Sequence, residues 1–286
     1  MSFDVCKLGS ALGAEIKGLD LCQKLDANTI AALHSAWSEH LVLLFRDQPL
    51  TPEQQIGFSR YFGDLDDHVA IPKFRHSNYP EILLVNNREA ATNKRLSVGR
   101  QWHSDLSTTL RPAKGSLLHA VQLPSVGGDT LFCNMYRAWE GLSPLLQQWL
   151  GDRSAVHDMT IARETRLQRT PAELQEIALR NPPVLQPVCR THDTTGRKAL
   201  YVSEMTTSHI DGLTKEESQP LLEYLYKRST LHENVYRHVW RKGDSILWDN
   251  RCVMHIALAD YDASESRSMH RTTLMGNPSG RLASIA

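Results

Sequence analysis

Trp102-His103-Ser104-Asp105 is the stretch that says most about the fold of this chain. His103 and Asp105 are two residues apart, so in an extended segment their side chains point to the same side and can reach one ion. A third candidate ligand, His255, ends the stretch Trp248-Asp249-Asn250-Arg251-Cys252-Val253-Met254-His255. Two imidazoles and one carboxylate are the facial triad that holds non-haem Fe(II) with open positions. An antiparallel barrel can bring His255 to the other two ligands from a distant strand.

The cysteines argue against another kind of metal site. A closed structural zinc site needs four ligands, usually including Cys. The five cysteines are scattered and form no CxxC pair: Cys6, Cys22, Cys133, Cys189 and Cys252. Their odd number and spacing indicate neither a zinc knuckle nor a disulfide framework, which fits a reducing cytoplasm.

Length, charge and hydropathy exclude several classes of protein. The 286 residues, 41% of them hydrophobic, are enough for one large domain or two small ones. No Pro/Gly/Ser-rich linker or break in composition divides the chain, so one domain over 1–286 is predicted. Balanced charge, with 32 basic and 32 acidic residues, gives no support to nucleic-acid binding. Hydrophobic runs such as 41–45 are far shorter than a membrane span. The N-terminal residues lack the charged and then apolar pattern of a signal peptide.

Several positions carry helix-start signals. Asp26 is predicted to cap a helix whose apolar residues recur at helical spacing as far as Leu41. Thr51-Pro52-Glu53-Gln54 predicts a capping box, and Gly63 is expected to end that helix. Three more helices are predicted to start at Ser143-Pro144, at Thr170-Pro171-Ala172-Glu173 and at Thr214-Lys215-Glu216-Glu217.

Short strands dominate the rest of the chain. Alternating apolar residues bounded by Gly, Asp or Asn predict strands at 81–85, 116–121, 129–133, 188–192, 199–203, 235–240, 244–249, 252–257 and 271–276. A mainly β fold with added helices is therefore predicted, a double-stranded β-helix or jelly roll. A parallel Rossmann-type sheet is disfavoured, because the sequence has no GxGxxG turn and its strands do not alternate regularly with helices.

The order of the motifs resembles the TauD/TfdA family of Fe(II)- and 2-oxoglutarate-dependent dioxygenases over nearly the whole chain. The resemblance includes Trp102-His103-Ser104-Asp105 and the stretch that ends at His255. It also includes 12–21, 42–48, 62–65, Gly127-Gly128-Asp129-Thr130, 190–202 and 243–251. It implies that His103, Asp105 and His255 bind iron, and that Thr130 and Arg267 hold the distal carboxylate of 2-oxoglutarate.

The resemblance also implies where the prime substrate binds. Arg271 would pair with its anionic group, and His68 falls where the taurine enzymes place a substrate-binding histidine. The residues themselves agree: Arg267 and Arg271 are four apart, so in a strand they share a face, and two buried guanidiniums need anions. Pairing with surface acids remains the alternative. Segments 69–100 and 155–183 are predicted to cover the site.

The resulting hypothesis is O2-dependent hydroxylation of a small anionic molecule, with 2-oxoglutarate converted to succinate and CO2. A sulfonate, a carboxylate such as an aryloxyalkanoate, and a sulfate ester all remain open as substrates. One alternative is a metal-binding jelly roll without turnover. Another is a zinc hydrolase, although no HExxH motif supplies its general base. The sequence permits a homodimer or homotetramer.

Overall fold

The computed structural model describes residues 3–69, 71, 74–88, 99–162 and 169–283. Its strands are β1 (Asp4–Lys7), β2 (Ala14–Lys17), β3 (Val42–Phe45), β4 (Leu83–Asn86), β5 (Gly115–Gln122), β6 (Thr130–Asn134), β7 (Ser154–His157), β8 (Val184–Pro187), β9 (Cys189–Thr191), β10 (Lys198–Leu200), β11 (Thr207–Ile210), β12 (Val235–His238), β13 (Ser245–Asp249), β14 (Val253–Ala257), β15 (Ser268–Leu274) and β16 (Arg281–Leu282). Its helices are α1 (Ala27–His40), α2 (Pro52–Ser59), α3 (Met135–Glu140), α4 (Pro144–Leu150), α5 (Pro171–Arg180) and α6 (Lys215–Ser229).

One large sheet carries strands from both ends of the chain. Its order is β1-β2-β3-β13-β5-β15-β4, and its described pairs are antiparallel except β2 with β3. Smaller sheets have the orders β12-β6-β14 and β11-β7-β8-β16, and β9 pairs with β10. Mostly antiparallel sheets with helices added outside form the predicted jelly roll, so the predicted fold class is confirmed.

Strand β3 shows how the large sheet separates two hydrophobic cores. Successive side chains of a strand point to opposite faces. Val42 and Leu44 therefore join the core shared with β6 and β14, whereas Leu43 and Phe45 join the core under α1 and α2. Because both faces are covered, β3 is apolar at every position, as expected for a strand buried on both sides.

The helix-start predictions are confirmed by the capping bonds. Asp26 accepts a hydrogen bond from Thr29 N at the start of α1. Complete capping boxes open α2, α5 and α6, at Thr51, Thr170 and Thr214, and Ser143 caps α4. The predicted end of the second helix is wrong: α2 stops at Ser59, and the chain turns before it reaches Gly63.

The nine predicted strands after residue 80 all occur, with ends shifted by a few residues. The sheet β11-β7-β8-β16 and helix α3 were not predicted. Part of this sheet lies in the proposed cover 155–183, where β7 is a structural strand paired with β8 and β11. Likewise β4, within 69–100, pairs with β15. Residues 70, 72–73, 89–98 and 163–168 of these two segments lie outside the described residues.

Within the described ranges, no helix combines the length and the apolar character needed to cross a membrane.

Candidate metal centre

Backbone pairing brings the two predicted histidine ligands side by side. His103 N donates to His255 O at 3.1 Å, and His255 N donates to His103 O at 2.8 Å. This isolated bridge joins the loop before β5 to β14, and it holds the two ring centroids 4.2 Å apart. One ligand atom from each of His103, Asp105 and His255 lies within 4.8 Å of the others. The structure thus gathers the three predicted ligands, distant in sequence, at one buried point.

One hydrogen bond fixes the tautomer of the His103 ring. Its Nδ1 lies 2.8 Å from the carbonyl oxygen of Gln101. A carbonyl only accepts, so Nδ1 carries a hydrogen, and in the neutral ring Nε2 has the lone pair that binds a metal. Nε2 also faces the acid, 3.8 Å from Asp105 Oδ1.

His255 is held as a neutral ring. Burial, and next the neighbouring His103, lower the pKa of His255 to about 3. Its ring lies against Trp248, with centroids 4.7 Å apart, and Phe132 stacks at 6.2 Å. Its Nδ1 is buried and has no hydrogen-bond partner among the described residues. A neutral, confined imidazole with unused hydrogen-bonding capacity is suited to a metal ligand.

Asp105 is anionic although it is buried. Burial raises the pKa of its carboxyl group, but the neighbouring Arg271 outweighs burial and holds that pKa well below its usual range. Arg271 Nη1 donates to Oδ1 at 2.6 Å, and Ser116 Oγ donates to Oδ2 at 2.6 Å. Two imidazoles and one carboxylate, the donor set that suits Fe(II), are therefore gathered here. The residues fit the metal that their sequence predicted.

Asn250 organises the surroundings of this carboxylate. Its Oδ1 accepts from Asp105 N at 3.1 Å and from Trp248 Nε1 at 2.9 Å, while its Nδ2 donates to Ser116 Oγ at 3.0 Å. Ser116 was not among the site residues expected from the sequence. The one signal for Ser116 was a polar residue in the otherwise apolar start of β5.

Arg251 binds a different carboxylate. It donates from Nε and Nη2 to the two oxygens of Asp249, at 2.8 and 2.6 Å. Asp249 also accepts from His192 Nε2 at 3.0 Å, so His192 has an acid partner. His192, Asp249 and Cys252 form a second cluster of ligand-type atoms. However, His192 Nδ1 already accepts from two backbone amides, and both Asp249 oxygens are occupied. This cluster is a closed structural network.

Arg267 contacts the turn that leads into Thr130. Arg267 precedes β15 and is buried, and its Nε donates to Gly128 O at 3.1 Å. A Cβ on Gly128 would lie 3.2 Å from Arg267 Cδ, a tight contact, and its φ of +74 also favours glycine. Arg267 Nη2 is buried without a hydrogen-bond partner among the described residues. Because an unpartnered buried guanidinium is costly, this nitrogen calls for an anion.

Arg271 and His68 lie together near Asp105. Arg271 Nε is also buried and unpartnered within the described ranges. His68 Nε2 lies 3.3 Å from the hydroxyl of Thr273, which is two residues from Arg271 on the same face of β15. Burial, followed by the charge of Arg271, lowers the pKa of His68. His68 has φ +55, a conformation that non-glycine residues adopt rarely and mostly at functional positions.

Two further buried acids already have side-chain partners. Asp129, in the turn before β6, accepts from Arg237 Nε at 2.7 Å. His238 Nε2 lies 3.1 Å from Asp244 Oδ2. Both carboxylates are therefore engaged outside the proposed metal centre.

Comparison with known proteins gives close matches over the whole chain. Residues 4–273 match the family model described as taurine catabolism dioxygenase TauD, TfdA family. The alpha-ketoglutarate-dependent 2,4-dichlorophenoxyacetate dioxygenase of Cupriavidus pinatubonensis is 36% identical, and the alignment covers 96% of this chain and 98% of that protein. The (S)-phenoxypropionate/alpha-ketoglutarate-dioxygenase of Sphingobium herbicidovorans is 33% identical, with 99% and 98% covered.

A solved structure supports the same comparison. The crystal structure of AAD-2 in complex with Mn(II) and N-oxalylglycine superposes with a TM-score of 0.82 at 31% identity. The match covers 98% of this chain and 100% of that one.

Proposed function

The chain belongs to the taurine catabolism dioxygenase TauD, TfdA family, and from that premise we propose that His103, Asp105 and His255 hold the Fe(II) of this 2-oxoglutarate-dependent dioxygenase. When bound, the metal supplies the activation of O2 that oxidises 2-oxoglutarate to succinate and CO2 and hydroxylates the substrate. The observation that carries the proposal is the convergence of three buried ligand atoms, which lie within 4.8 Å of one another. The relatives are named as dioxygenases, which favours catalysis over a module that only binds metal.

The cosubstrate is proposed to bind between the metal and Arg267. Arg267 Nη2 and the Thr130 hydroxyl would both donate to the distal carboxylate of 2-oxoglutarate. Support comes from the burial of both side chains and from the unpartnered Nη2. A charge-assisted bond from a buried guanidinium is the stronger of the two, because it also compensates the desolvated cation.

The prime substrate is proposed to be a small organic anion whose charged group pairs with Arg271. Arg271 keeps one edge on Asp105 and has Nε free to donate. His68 adds a donor or acceptor beside it. Among the anions open from the sequence, a carboxylate of the aryloxyalkanoate type comes first, because two relatives are named for such substrates. Sulfonates and sulfate esters are also anions, so they are included among the compounds to be tested as substrates.

The number of domains, the cellular location and the oligomeric state are also proposed, each on a single observation. One domain is supported by the large sheet, which pairs residues from both ends of the chain. A cytoplasmic location is supported by five free cysteines. A homodimer or homotetramer is supported by Leu145 and Trp149, which expose apolar surface on one side of α4, and light scattering in solution tests it.

The test of the proposed function is O2-dependent formation of succinate from 2-oxoglutarate. Protein loaded anaerobically with Fe(II) is offered aryloxyalkanoates, sulfonates, alkyl sulfates and amino acids. We expect one class to stimulate succinate formation in the wild type but not in His103→Ala or Asp105→Ala. His209→Ala is the matched control, since His209 is half-buried on β11 and bonds only to Ser208 among the described contacts. Equal turnover in wild type and Asp105→Ala would refute the metal assignment.

A further inference from the structure

Thr130 has a hydrogen-bond donor aimed at its hydroxyl oxygen. Trp240 Nε1 lies 3.0 Å from Thr130 Oγ1, and both residues are buried. An indole N–H can only donate, so the threonine oxygen accepts this bond. The hydroxyl hydrogen is then directed away from Trp240. Of the two roles open to a hydroxyl group, this contact favours donation to a third group.

The indole is held in place by a rigid support. Its ring meets His238 edge to face, with centroids 4.6 Å apart at 87°. His238 lies opposite Thr130 in the β12–β6 pairing, and its Nε2 is 3.1 Å from Asp244 Oδ2. Tyr236 Oη contacts the other ring nitrogen at 3.0 Å. Because both nitrogens of His238 are engaged, the ring under Trp240 has little freedom to rotate.

Thr130 opens β6 directly after the segment that contacts Arg267. Gly128 O accepts from Arg267 Nε at 3.1 Å, and Arg267 Nη2 has no partner within the described ranges. The segment 128–130 therefore links the guanidinium of Arg267 to the hydroxyl of Thr130, and the acid between them, Asp129, is already engaged by Arg237. A carboxylate, which only accepts, is the group that a hydroxyl hydrogen and a guanidinium can both bind.

We propose that Trp240 is a positioning residue for the cosubstrate: its indole N–H occupies the oxygen of Thr130 and commits the threonine hydroxyl to donate to the distal carboxylate of 2-oxoglutarate beside Arg267. The inference rests on the proposed function, which assigns Thr130 and Arg267 to that carboxylate. It adds a residue that does not touch the cosubstrate and acts through Thr130. Trp240 thereby disfavours the orientation in which the hydroxyl hydrogen would point toward the indole and a lone pair would face the anion.

The first test is binding of N-oxalylglycine to protein loaded with Mn(II), measured by calorimetry. Trp240→Phe keeps an aromatic ring and removes the N–H. We expect its dissociation constant to rise roughly three- to tenfold, the usual effect of losing one oriented hydrogen bond. In turnover, the KM for 2-oxoglutarate should rise more than kcat falls. Trp139→Phe is the matched control, because Trp139 lies in the same hydrophobic core and should leave the dissociation constant unchanged.

A double-mutant cycle separates positioning from packing. If Trp240 acts through the hydroxyl, Trp240→Phe should weaken binding little or not at all once Thr130→Val has removed that hydroxyl. An equal loss in both backgrounds would overturn the inference, as would unchanged binding in Trp240→Phe alone. Failure of wild-type protein to bind N-oxalylglycine, or unchanged binding in Arg267→Leu, would instead overturn the proposed function and the inference with it.

A spectroscopic test keeps Trp240 intact, in case its substitution disturbs folding. Six indole N–H signals are expected from ¹⁵N-tryptophan labelling, one for each tryptophan. The signal of Trp240 is assigned by elimination, from Trp→Phe variants at the other five positions, 37, 102, 139, 149 and 248. Thr130→Val should shift that signal and speed its hydrogen exchange, whereas Thr130→Ser should preserve it. An indole signal insensitive to Thr130→Val would overturn the inference.

Discussion

Arg271 Nη1 donates a 2.6 Å hydrogen bond to Asp105 Oδ1, so the cation proposed to bind substrate also touches a proposed metal ligand. The same guanidinium keeps Nε buried and unpartnered within the described ranges. One edge of the planar group thus holds the carboxylate while another is available to an anion. A lysine offers a single point charge and cannot reproduce this division of donors.

Arg271→Lys should therefore separate substrate binding from cosubstrate chemistry. We expect the KM for the anionic prime substrate to rise about 10- to 100-fold, as the oriented charge-assisted bond is lost. Succinate formation without prime substrate should persist. Steady-state measurements of both activities check this, with the exposed Arg60→Lys as control. An unchanged KM would remove Arg271 from the substrate site.

Ser116→Ala should weaken metal binding with little effect on the fold. The variant loses the 2.6 Å bond to Asp105 Oδ2 and the contact with Asn250. Removing such a supporting bond typically lowers metal affinity about 10-fold or more. Calorimetric titration with Mn(II) measures the effect. Ser245→Ala is the matched control, because this buried serine bonds to His119 in the neighbouring strand and should leave Mn(II) affinity unchanged.

Local signals made much of the fold predictable from sequence. The capping boxes at Thr51, Thr170 and Thr214 depend on residues three apart, and all three open helices. The strand patterns after residue 80 predicted four strands of the large sheet, β4, β5, β13 and β15. The two ligands His103 and Asp105 were recognisable because they are also local, and the distant His255 was found by motif order.

The contacts that sequence reasoning missed join residues distant along the chain. His192 and Asp249 are 57 positions apart, and Thr130 and Trp240 are 110 apart. No periodicity or spacing encodes such pairs, because they depend on which strands become neighbours. The pairing of β7 with β8 and β11 is of the same kind, since the pattern of 154–157 alone does not indicate which strands lie beside it.

Acid should destabilise the protein through His157. Burial lowers the pKa of this imidazole to about 4, from an ordinary 6.5. Below pH 6.5 the unfolded chain therefore binds a proton that the folded protein refuses, and stability falls until the pH passes through about 4. The full effect is on the order of 3 kcal/mol. His157→Gln should flatten the pH dependence of urea unfolding between these limits. Near pH 8, where His157 is neutral in both states, the free-energy cost of the substitution should not depend on pH. An unchanged slope of unfolding free energy against pH in the acid range would contradict the argument.

Arg251→Met should be among the most destabilising single changes. It leaves Asp249 buried with His192 as its remaining side-chain partner among the described residues, after loss of two bonds of 2.8 and 2.6 Å. Breaking a buried ion pair on one side costs about 3–5 kcal/mol, because the desolvated charge stays behind. Urea unfolding at neutral pH measures the loss.

The matched control for this change is the exposed pair Arg60–Glu81, in which the arginine side chain is 62% exposed. Arg60→Ala should cost less than about 1 kcal/mol, since water already screens the pair. Adding Asp249→Asn to Arg251→Met should recover part of the lost stability, because the uncompensated charge disappears. If Arg251→Met cost no more than Arg60→Ala, the cluster of His192, Asp249 and Arg251 would contribute no net stability, and its ligand-type atoms would need another explanation.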